Sequence, residues 1–260
     1  MLYITGITGH SGKWFLKRLE AEEYIGKIRC AMRESKESAP NKYALFDGCQ
    51  LDIEFSVGDL SDEEFLTESL KGVETIVHIA GIPLSTKIVQ AAIKNNVKWA
   101  ILVHTTGRFS KYKSASEAYI KIDDKILSLR ESIAVTILRP TMIYGSSGDR
   151  NMYRLVGYLS KHKVFPLFGD GRNLMQPVHA RDLGNAYYDV LMHPNATKNK
   201  EYNLSGKDPI TYLHIIQTIR DYLNSKVKII KIPISLSIFA ARAYNALFKN
   251  AIITVEQVMR

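Results

Sequence analysis

Short hydrophobic runs alternate with amphipathic stretches along the first 145 residues of the chain. The runs are rich in β-branched and aromatic residues, which favours strands, and they lie at 2–7, 27–33, 53–59, 74–81, 99–106 and 134–140. Stretches with helical spacing lie between them, at 12–23, 62–72, 85–97 and about 114–131. The third of these is predicted to begin at a capping serine, Ser85. Apolar strands that alternate with helices are typical of a doubly wound parallel sheet covered on both faces.

The pattern changes after Gly145, where a loop-rich stretch replaces the regular alternation. We expect residues 1–145 to form the sheet core, with 176–208 returning to it. Residues 146–175 and 209–260 are expected to form a smaller substrate lobe that is interwoven with the core. The prediction is therefore an α/β protein with a smaller C-terminal lobe.

The composition is that of a soluble globular protein, with 46% hydrophobic and 23% charged residues among 260. The net charge of +9 favours anionic ligands such as nucleotides, sugar phosphates or an acidic membrane surface. A basic, solvated surface explains the same charge equally well. No recognition motif or basic–aromatic strip supports a nucleic acid as the partner.

Cysteine content and the start of the chain bear on the compartment. Two cysteines, Cys30 and Cys49, and a strand-like "MLYITG" at the start predict a cytoplasmic protein without a disulfide or signal peptide. The seven histidines lack the spacing of metal ligands, so no metal site is expected. The apolar stretch 232–248 is interrupted by Pro233 and Arg242, and it is too broken to span a bilayer. We expect it to pack on the core, with a position on a membrane surface as the alternative.

The first predicted strand runs into "GITGHSG", which places Gly6, Gly9 and Gly12 before the first predicted helix. This position is the one that a dinucleotide-binding glycine turn requires, and it predicts a Rossmann-type sheet. Gly6 allows the turn, Gly9 lets the backbone approach a pyrophosphate, and Gly12 lets the helix pack on the strand. A Walker-type phosphate loop is excluded, because Ile7 replaces a glycine and Trp14 replaces the hydroxyl residue that would hold magnesium.

The end of the second strand bears on the choice between NAD and NADP. An acid at this place binds the ribose 2′-hydroxyl of NAD, whereas a guanidinium suits the 2′-phosphate of NADP. The sequence has "MRESK" here, with Arg33 nearest the expected position and Glu34 next to it. Arg33 predicts NADP, while Glu34 keeps NAD as the alternative.

At this point the sequence resembles the extended short-chain dehydrogenase/reductases, the NAD(P)-dependent epimerase/dehydratase family. The resemblance extends over most of the chain and depends on several motifs in the family's order. They are "TGITGHSG" at 5–12, "GDL" at 58–60, "HIAG" at 78–81, "LRPTMIYG" at 138–145, "QPVHARDLGNA" at 176–186 and "YNLSG" at 202–206. The resemblance implies a cofactor site in which Asp59 and Leu60 lie by the adenine and Pro140 borders the nicotinamide. The expected cofactor-binding residues are Gly6, Thr8, Gly9, His10, Ser11, Gly12, Arg33, Asp59, Leu60, Ala80, Gly81 and Pro140.

The family's catalytic set is a Ser or Thr after the fifth strand, followed by a Tyr and a Lys four residues apart. By this resemblance Thr105, Thr106 and Tyr119 are the catalytic candidates. Asp123 stands where the lysine belongs. A register that uses Lys121 instead is rejected, because it would remove the tyrosine from the set.

Asp123 changes the expected chemistry, because a carboxylate beside Tyr119 opposes loss of the phenol proton. Neutral Tyr119 is suited to donating a proton during reduction of a carbonyl. A loop lysine, Lys111 or Lys113, is the surrogate cation that we consider. Asp123 binding the ribose hydroxyls directly is a further possibility.

The resemblance implies an enzyme that transfers a hydride to or from a nucleotide-linked sugar or related carbonyl substrate, as a reductase or epimerase. The alternative is a non-catalytic NADP(H)-binding sensor or assembly protein on the same fold. Cations that border the substrate cleft in the family would bind a diphosphate. The substrate-binding candidates are Arg108, Lys111, Arg150 and Arg154. A homodimer remains open.

Overall fold

The computed structural model describes residues 1–110, 116–149, 151–236 and 238. The chain divides into two compact units. The sheet unit contains Met1–Gly148 and Val178–Ser205, and the small unit contains Asp149–Pro177 and the residues from Gly206 onward. Some sequence predictions lie outside the described residues: those on Lys111, Lys113 and Arg150, and most of the one on 232–248.

The strands of the described residues are, in chain order, β1 (Leu2–Thr5), β2 (Ile28–Met32), β3 (Ile53–Val57), β4 (Thr75–His78), β5 (Trp99–Val103), β6 (Ala134–Pro140), β7 (Ile143–Tyr144), β8 (Val164–Phe168), β9 (Leu174–Met175), β10 (Val178–His179), β11 (Glu201–Leu204), β12 (Ile210–Thr211) and β13 (Lys228–Ile232). The α-helices are α1 (Gly12–Ala21), α2 (Pro40–Tyr43), α3 (Glu63–Ser69), α4 (Ser85–Lys94), α5 (Glu117–Leu127), α6 (Met152–Lys161), α7 (Ala180–Met192), α8 (Pro194–Thr197) and α9 (Tyr212–Tyr222).

The sheet unit is built on a seven-stranded sheet with the order β11-β6-β5-β4-β1-β2-β3. Every neighbouring pair in it is parallel. β1 and β5 are buried along their whole length, because helices cover both faces of the sheet. The predicted α/β doubly wound fold is confirmed.

Two hydrophobic clusters hold the helices on the sheet. On one face, Phe15 and Leu19 of α1 and Leu183 of α7 belong to the same cluster as β1 residues. On the other face, Leu66 of α3 and Ile88 of α4 pack with residues of β5 and β6. The helical spacing of these apolar positions is what the sequence pattern detected.

The small unit has its own core and two short ribbons. β8 and β13 pair in parallel, and β9 and β12 pair antiparallel. Leu159 of α6, Phe165 and Leu167 of β8 and Ile216 of α9 form its buried cluster.

The prediction that Ser85 caps the helix at 85–97 is wrong. Ser85 is the first residue of α4, and no side chain caps the helix at Leu84. The Ser85 hydroxyl is fully buried and lies 3.0 Å from Nε2 of His104. Its partner is therefore a side chain 19 residues away in sequence, which no local capping pattern indicates.

Candidate functional site

The glycine turn after β1 sets the position of α1. Gly6 has φ of +75°, a left-handed value that favours glycine, and its carbonyl accepts a hydrogen bond of 3.0 Å from the backbone N–H of Gly9. A Cβ on Gly12 would lie 2.2 Å from the Gly6 carbonyl oxygen. Only glycine at position 12 lets α1 begin this close to the strand. The N-terminus of the helix consequently lies beside the end of β1.

A cavity of about 490 Å³ opens in the sheet unit at the carboxyl ends of the strands. The strand order reverses between β1 and β4, and such a reversal is where open α/β sheets bind ligands. Ten of the twelve predicted cofactor residues line the cavity. They are Gly6, Thr8, Gly9, His10, Ser11, Arg33, Leu60, Ala80, Gly81 and Pro140.

The other two predicted cofactor residues, Gly12 and Asp59, are not among the lining residues. Gly12 acts through the close approach of α1 to the turn. Asp59 is exposed, and its carboxylate accepts a hydrogen bond of 2.8 Å from the backbone N–H of Ser61. This bond holds the pKa of Asp59 below its usual value. Asp59 shapes the turn between the lining residues Gly58 and Leu60.

A buried histidine fixes the loop that forms the floor of the cavity. His78 Nε2 lies 2.9 Å from the Gly81 carbonyl, which can only accept, so this nitrogen carries the proton. His78 Nδ1 then accepts from the hydroxyl of Thr5 at 2.6 Å. Burial lowers the pKa of His78 to about 4, so the ring is neutral near pH 7. The hydrogen bonds tie Gly81, which lines the cavity, to β1 and β4.

One end of the cavity is basic, at the carboxyl end of β2. Arg33 follows β2 directly, is exposed and lines the cavity. Lys42, from α2, lines it as well and pairs with Glu34. Lys42 lowers the pKa of the Glu34 carboxyl through their hydrogen bond and its positive charge. The Tyr43 hydroxyl donates to the Glu34 carbonyl at 2.8 Å, which holds the loop against α2.

The cavity fits a dinucleotide on its own geometry. A Cβ on Gly9 would lie 3.0 Å from the Gly6 carbonyl oxygen, so a side chain there would crowd the turn. The glycine turn and the N-terminus of α1 offer backbone N–H groups to a pyrophosphate. Arg33 and Lys42 offer cations at one end, while Pro140 and Ile143 form an apolar wall. Among the residues that the structure describes, no cluster has the ligands of a metal site.

Asp123 of α5 lies in the interior of the sheet unit, with 2% of its surface exposed. Its carboxylate accepts from Nε and Nη2 of Arg139 at 2.9 and 2.7 Å, and it pairs with Nδ1 of His104. Burial alone would raise the pKa of Asp123, but the hydrogen bonds and charges of His104 and Arg139 outweigh it and lower the pKa. Because an ionised carboxylate only accepts, His104 Nδ1 is the donor, and Nε2 lies 3.0 Å from the Ser85 hydroxyl.

Arg139 completes this buried network. Its guanidinium is 1% exposed and bridges Asp123 on α5 to Glu201 on β11, with an Nη2–Oε2 distance of 2.7 Å to the glutamate. Both carboxylate oxygens of Asp123 are thus occupied by interior partners. These contacts do not support direct binding of ribose hydroxyls by Asp123. They also pair the carboxylate that follows Tyr119 by one helical turn with the guanidinium of Arg139.

The catalytic candidates lie at the carboxyl end of β5 and on α5. The Thr105 hydroxyl accepts from the backbone N–H of Gly107 at 3.1 Å, and the Thr106 hydroxyl donates to the Pro140 carbonyl at 3.3 Å. Tyr119 is half-buried in the first turns of α5. These three candidates are not among the residues that line the cavity. Their catalytic roles stay predictions.

The described substrate candidates are Arg108 and Arg154. Arg108 pairs with Asp124 at 2.7 Å and lies 3.6 Å from Asp123, so its guanidinium faces α5. Arg154 is exposed on α6 of the small unit. Lys111 and Arg150 lie outside the described residues. The four substrate assignments stay predictions.

Ten of the twenty lining residues were not predicted from the sequence, and His104 and Lys42 are the two of them with ionisable side chains. His104 directly precedes the threonines in "HTTG", and its place at the end of β5 was a usable signal. Lys42 lies nine residues beyond Arg33, and only the return of the chain through α2 brings it to the cavity. No local pattern indicates that return.

The model of the NAD dependent epimerase/dehydratase family matches residues 2–108 and 115–205, which is more than half of the chain. A mitochondrial protein of Arabidopsis thaliana, NADH dehydrogenase [ubiquinone] 1 alpha subcomplex subunit 9, is 21% identical over 90% of this chain and 60% of its own length. The chain therefore spans about 60% of the length of that relative.

Two further proteins share the fold or the sequence pattern. N-acetyl-alpha-D-glucosaminyl-diphospho-ditrans,octacis-undecaprenol 4-epimerase of Escherichia coli O157:H7 is 23% identical over 74% of this chain and 68% of its own. The NADPH-dependent quinone oxidoreductase of Escherichia coli, solved with NADPH, superposes with a TM-score of 0.73. Its identity is 21%, over 94% of this chain and 82% of that one. None of the helices in the described residues has the length and hydrophobicity of a membrane-spanning segment.

Proposed function

The chain belongs to the NAD dependent epimerase/dehydratase family, and on that premise we propose that it binds NADP(H) and transfers a hydride to or from a nucleotide-linked sugar or related carbonyl substrate. The observation that carries the proposal is the cavity at the reversal of the strand order. Its walls combine the glycine turn with the carboxyl ends of the neighbouring strands, which is the arrangement that binds dinucleotides. When bound, the nicotinamide would supply or accept the hydride.

Different residues of the cavity would hold different parts of the cofactor. The glycine turn and the N-terminus of α1 would hold the pyrophosphate. The loop fixed by His78, with Ala80 and Gly81, would support the dinucleotide from below. Pro140 would border the nicotinamide, as in the family.

NADP rather than NAD is the cofactor that we propose, with Arg33 as the contact to the 2′-phosphate. A guanidinium binds phosphate oxygens with two parallel N–H groups. Glu34, which would favour NAD, has its carboxylate paired with Lys42. The charge at this end of the cavity is thus two cations against one paired acid.

Tyr119 is the proton donor in the proposed reaction, and Thr105 and Thr106 assist it. In the direction of reduction, the phenol O–H gives its proton to the carbonyl oxygen while a hydride reaches the carbonyl carbon. A phenol O–H suits the role of proton donor in this direction. The charge of Asp123 is neutralised by Arg139, so it does not act on Tyr119 as an isolated carboxylate. Arg108 is proposed as a contact to the diphosphate of the substrate, which would share this guanidinium with Asp124.

A second candidate function is a non-catalytic NADP(H)-binding subunit. The position of the family's lysine is taken by Asp123, whose side chain is committed to the interior. The Arabidopsis thaliana relative is named as a subunit of a larger complex. The two candidates share cofactor binding and differ in turnover.

Turnover separates the two candidates. The purified protein with NADPH or NADP⁺ is presented with a panel of nucleotide-linked sugars and keto sugars, and absorbance of the reduced nicotinamide is followed. The enzyme proposal expects oxidation or reduction with a member of the panel, abolished in Tyr119→Phe and retained in Tyr222→Phe, a control at an 88% exposed tyrosine. Tight cofactor binding without redox change across the panel supports the subunit. Unchanged turnover in Tyr119→Phe would remove Tyr119 as the proton donor.

A further inference from the structure

The small unit carries most of the net positive charge of the chain. It contains 13 lysines and arginines against 5 aspartates and glutamates, whereas the sheet unit contains 22 against 21. The net charge of +9 therefore belongs almost entirely to the small unit. A charge this concentrated marks a surface for an anionic partner more specifically than the composition of the whole chain does.

Four lysines meet where the two strands of the β8–β13 ribbon begin. Lys161 and Lys163 precede β8, and Lys226 and Lys228 lie at the start of β13. Three of them line a cleft of about 360 Å³ whose lining contains no acid, and the Lys228 backbone N–H donates to the Lys163 carbonyl at 2.9 Å. We call these four residues the lysine cluster.

The lysine cluster is not neutralised by neighbouring acids. The small unit has four described carboxylates: Asp170 pairs with Arg172 at 3.5 Å, Asp221 pairs with Arg220 at 2.8 Å, and Asp208 forms no ion pair with the cluster. Asp149 accepts from the backbone at the start of α6. Among the described residues, no lysine of the cluster forms an ion pair with a carboxylate. Its charge is directed to solvent.

One face of the same ribbon is apolar and exposed. Phe165 and Leu167 point into the core of the small unit, so Val164 and Phe168 point outward, because successive residues of a strand alternate between faces. Val164, Phe168 and Ile230 are 42%, 42% and 50% exposed. This outer face, defined by Val164, Phe168 and Ile230, adjoins the lysine cluster, since Lys228 pairs in register with Val164.

We propose that the lysine cluster and the outer face form a docking surface for an anionic lipid bilayer. Lysines beside an exposed apolar face suit a membrane interface, where ammonium groups meet anionic headgroups and apolar side chains enter the acyl boundary. A nucleic acid would use the lysines and leave Val164 and Ile230 exposed to water. A second copy in a two-fold contact would place eight lysines at one interface, and like charges there repel. The surface is independent of the cofactor cavity and goes beyond the proposed activity.

The test is flotation of the full chain with two kinds of vesicle, one of phosphatidylcholine alone and one with about a third phosphatidylglycerol. We expect binding to the anionic vesicles only, weakened by salt. Each lysine near an anionic surface contributes about five-fold to binding, so Lys163→Glu with Lys226→Glu lowers it by about 25-fold or more. Ile230→Asn lowers it as well, since it removes an apolar contact without changing charge.

The matched control is Lys98→Glu with Lys200→Glu, which makes the same charge change at exposed lysines of the sheet unit. The control retains binding if the surface is specific. Equal loss in both charge variants would reduce the effect to net charge and overturn the proposal. Absence of binding to anionic vesicles overturns it too, as does concentration-dependent self-association through Ile230 measured by light scattering. Thermal melting of each variant confirms that it is folded.

Discussion

The two units of this protein differ in the balance and the burial of their charged residues. The sheet unit has nearly equal numbers of basic and acidic residues and buries some of them in a connected network around Arg139. The small unit has more than twice as many basic as acidic residues, and its lysine cluster faces solvent without partners among the described residues. The charge of a whole chain therefore does not say which part of it meets an anion.

The comparison changes the interpretation of the basic composition. A net charge of +9 suggested a cavity that attracts anionic ligands. For the proposed cofactor, the cavity of the sheet unit instead offers a few groups at defined positions, Arg33 and Lys42 at one end and backbone N–H groups at the glycine turn. The excess charge lies in the other unit.

The largest expected effect is at the buried network, because breaking a buried ion pair leaves a charge without a partner. Asp123→Lys, which restores the residue of the family, places a cation beside Arg139 and His104 in the interior. We expect it to lose about 3–5 kcal/mol of unfolding free energy in urea and to restore no activity. Asp124→Lys is the control. It makes the same charge change at the next residue of the helix, whose side chain is 59% exposed. A stable and active Asp123→Lys variant would show that position 123 faces the site.

The next effect is a dependence of folding stability on pH, which we expect from His78 in the sheet unit. Burial lowers the pKa of His78 from 6.5 to about 4. Between these two pH values the imidazole is protonated in the unfolded chain and neutral in the folded chain. Stability contributed by His78 is present above pH 6.5 and decreases as the pH falls towards 4, by about 3 kcal/mol.

His78→Gln tests this dependence. We expect urea unfolding of the variant to show a shallower loss of stability between pH 6.5 and 4 than the parent chain. His162→Gln, an exposed histidine of the small unit, is expected to leave the slope unchanged. Equal slopes for the His78 variant and the parent would mean that the imidazole titrates normally.

A smaller effect is expected on cofactor affinity when Arg33, at the basic end of the cavity, is replaced. Arg33→Ala removes a charge-assisted contact and is expected to weaken NADPH binding by roughly 10–100-fold while leaving NADH binding nearly unchanged. Lys36→Ala changes an exposed lysine that does not line the cavity, and it is expected to change neither affinity. Equal weakening of both cofactors by Arg33→Ala would contradict the choice of NADP.

Local patterns predicted the elements of the sheet unit well. The predicted strand at 134–140 is β6 to the residue, and the glycine turn lies where its spacing placed it. These features depend on alternation, propensity and turn chemistry within a few neighbouring residues.

The buried network was not predictable in the same way. Asp123 lies 16 residues from Arg139, and Arg139 lies 62 residues from Glu201, so three separate elements must pack before the charges meet. Helical spacing placed Asp123 on the face of Tyr119, but burial and a partner on β6 decide what the carboxylate contacts. The prediction that Ser85 caps a helix was wrong for the same reason, since its hydroxyl bonds the side chain of His104, just after β5, and not the helix backbone.

We propose that the cavity of the sheet unit holds a reduced nicotinamide dinucleotide with preference for NADPH. The most direct measurement is a titration of the purified chain with NADPH and with NADH, following the fluorescence of the reduced nicotinamide. We expect saturable binding of NADPH that is tighter than binding of NADH. Binding of neither cofactor would contradict it.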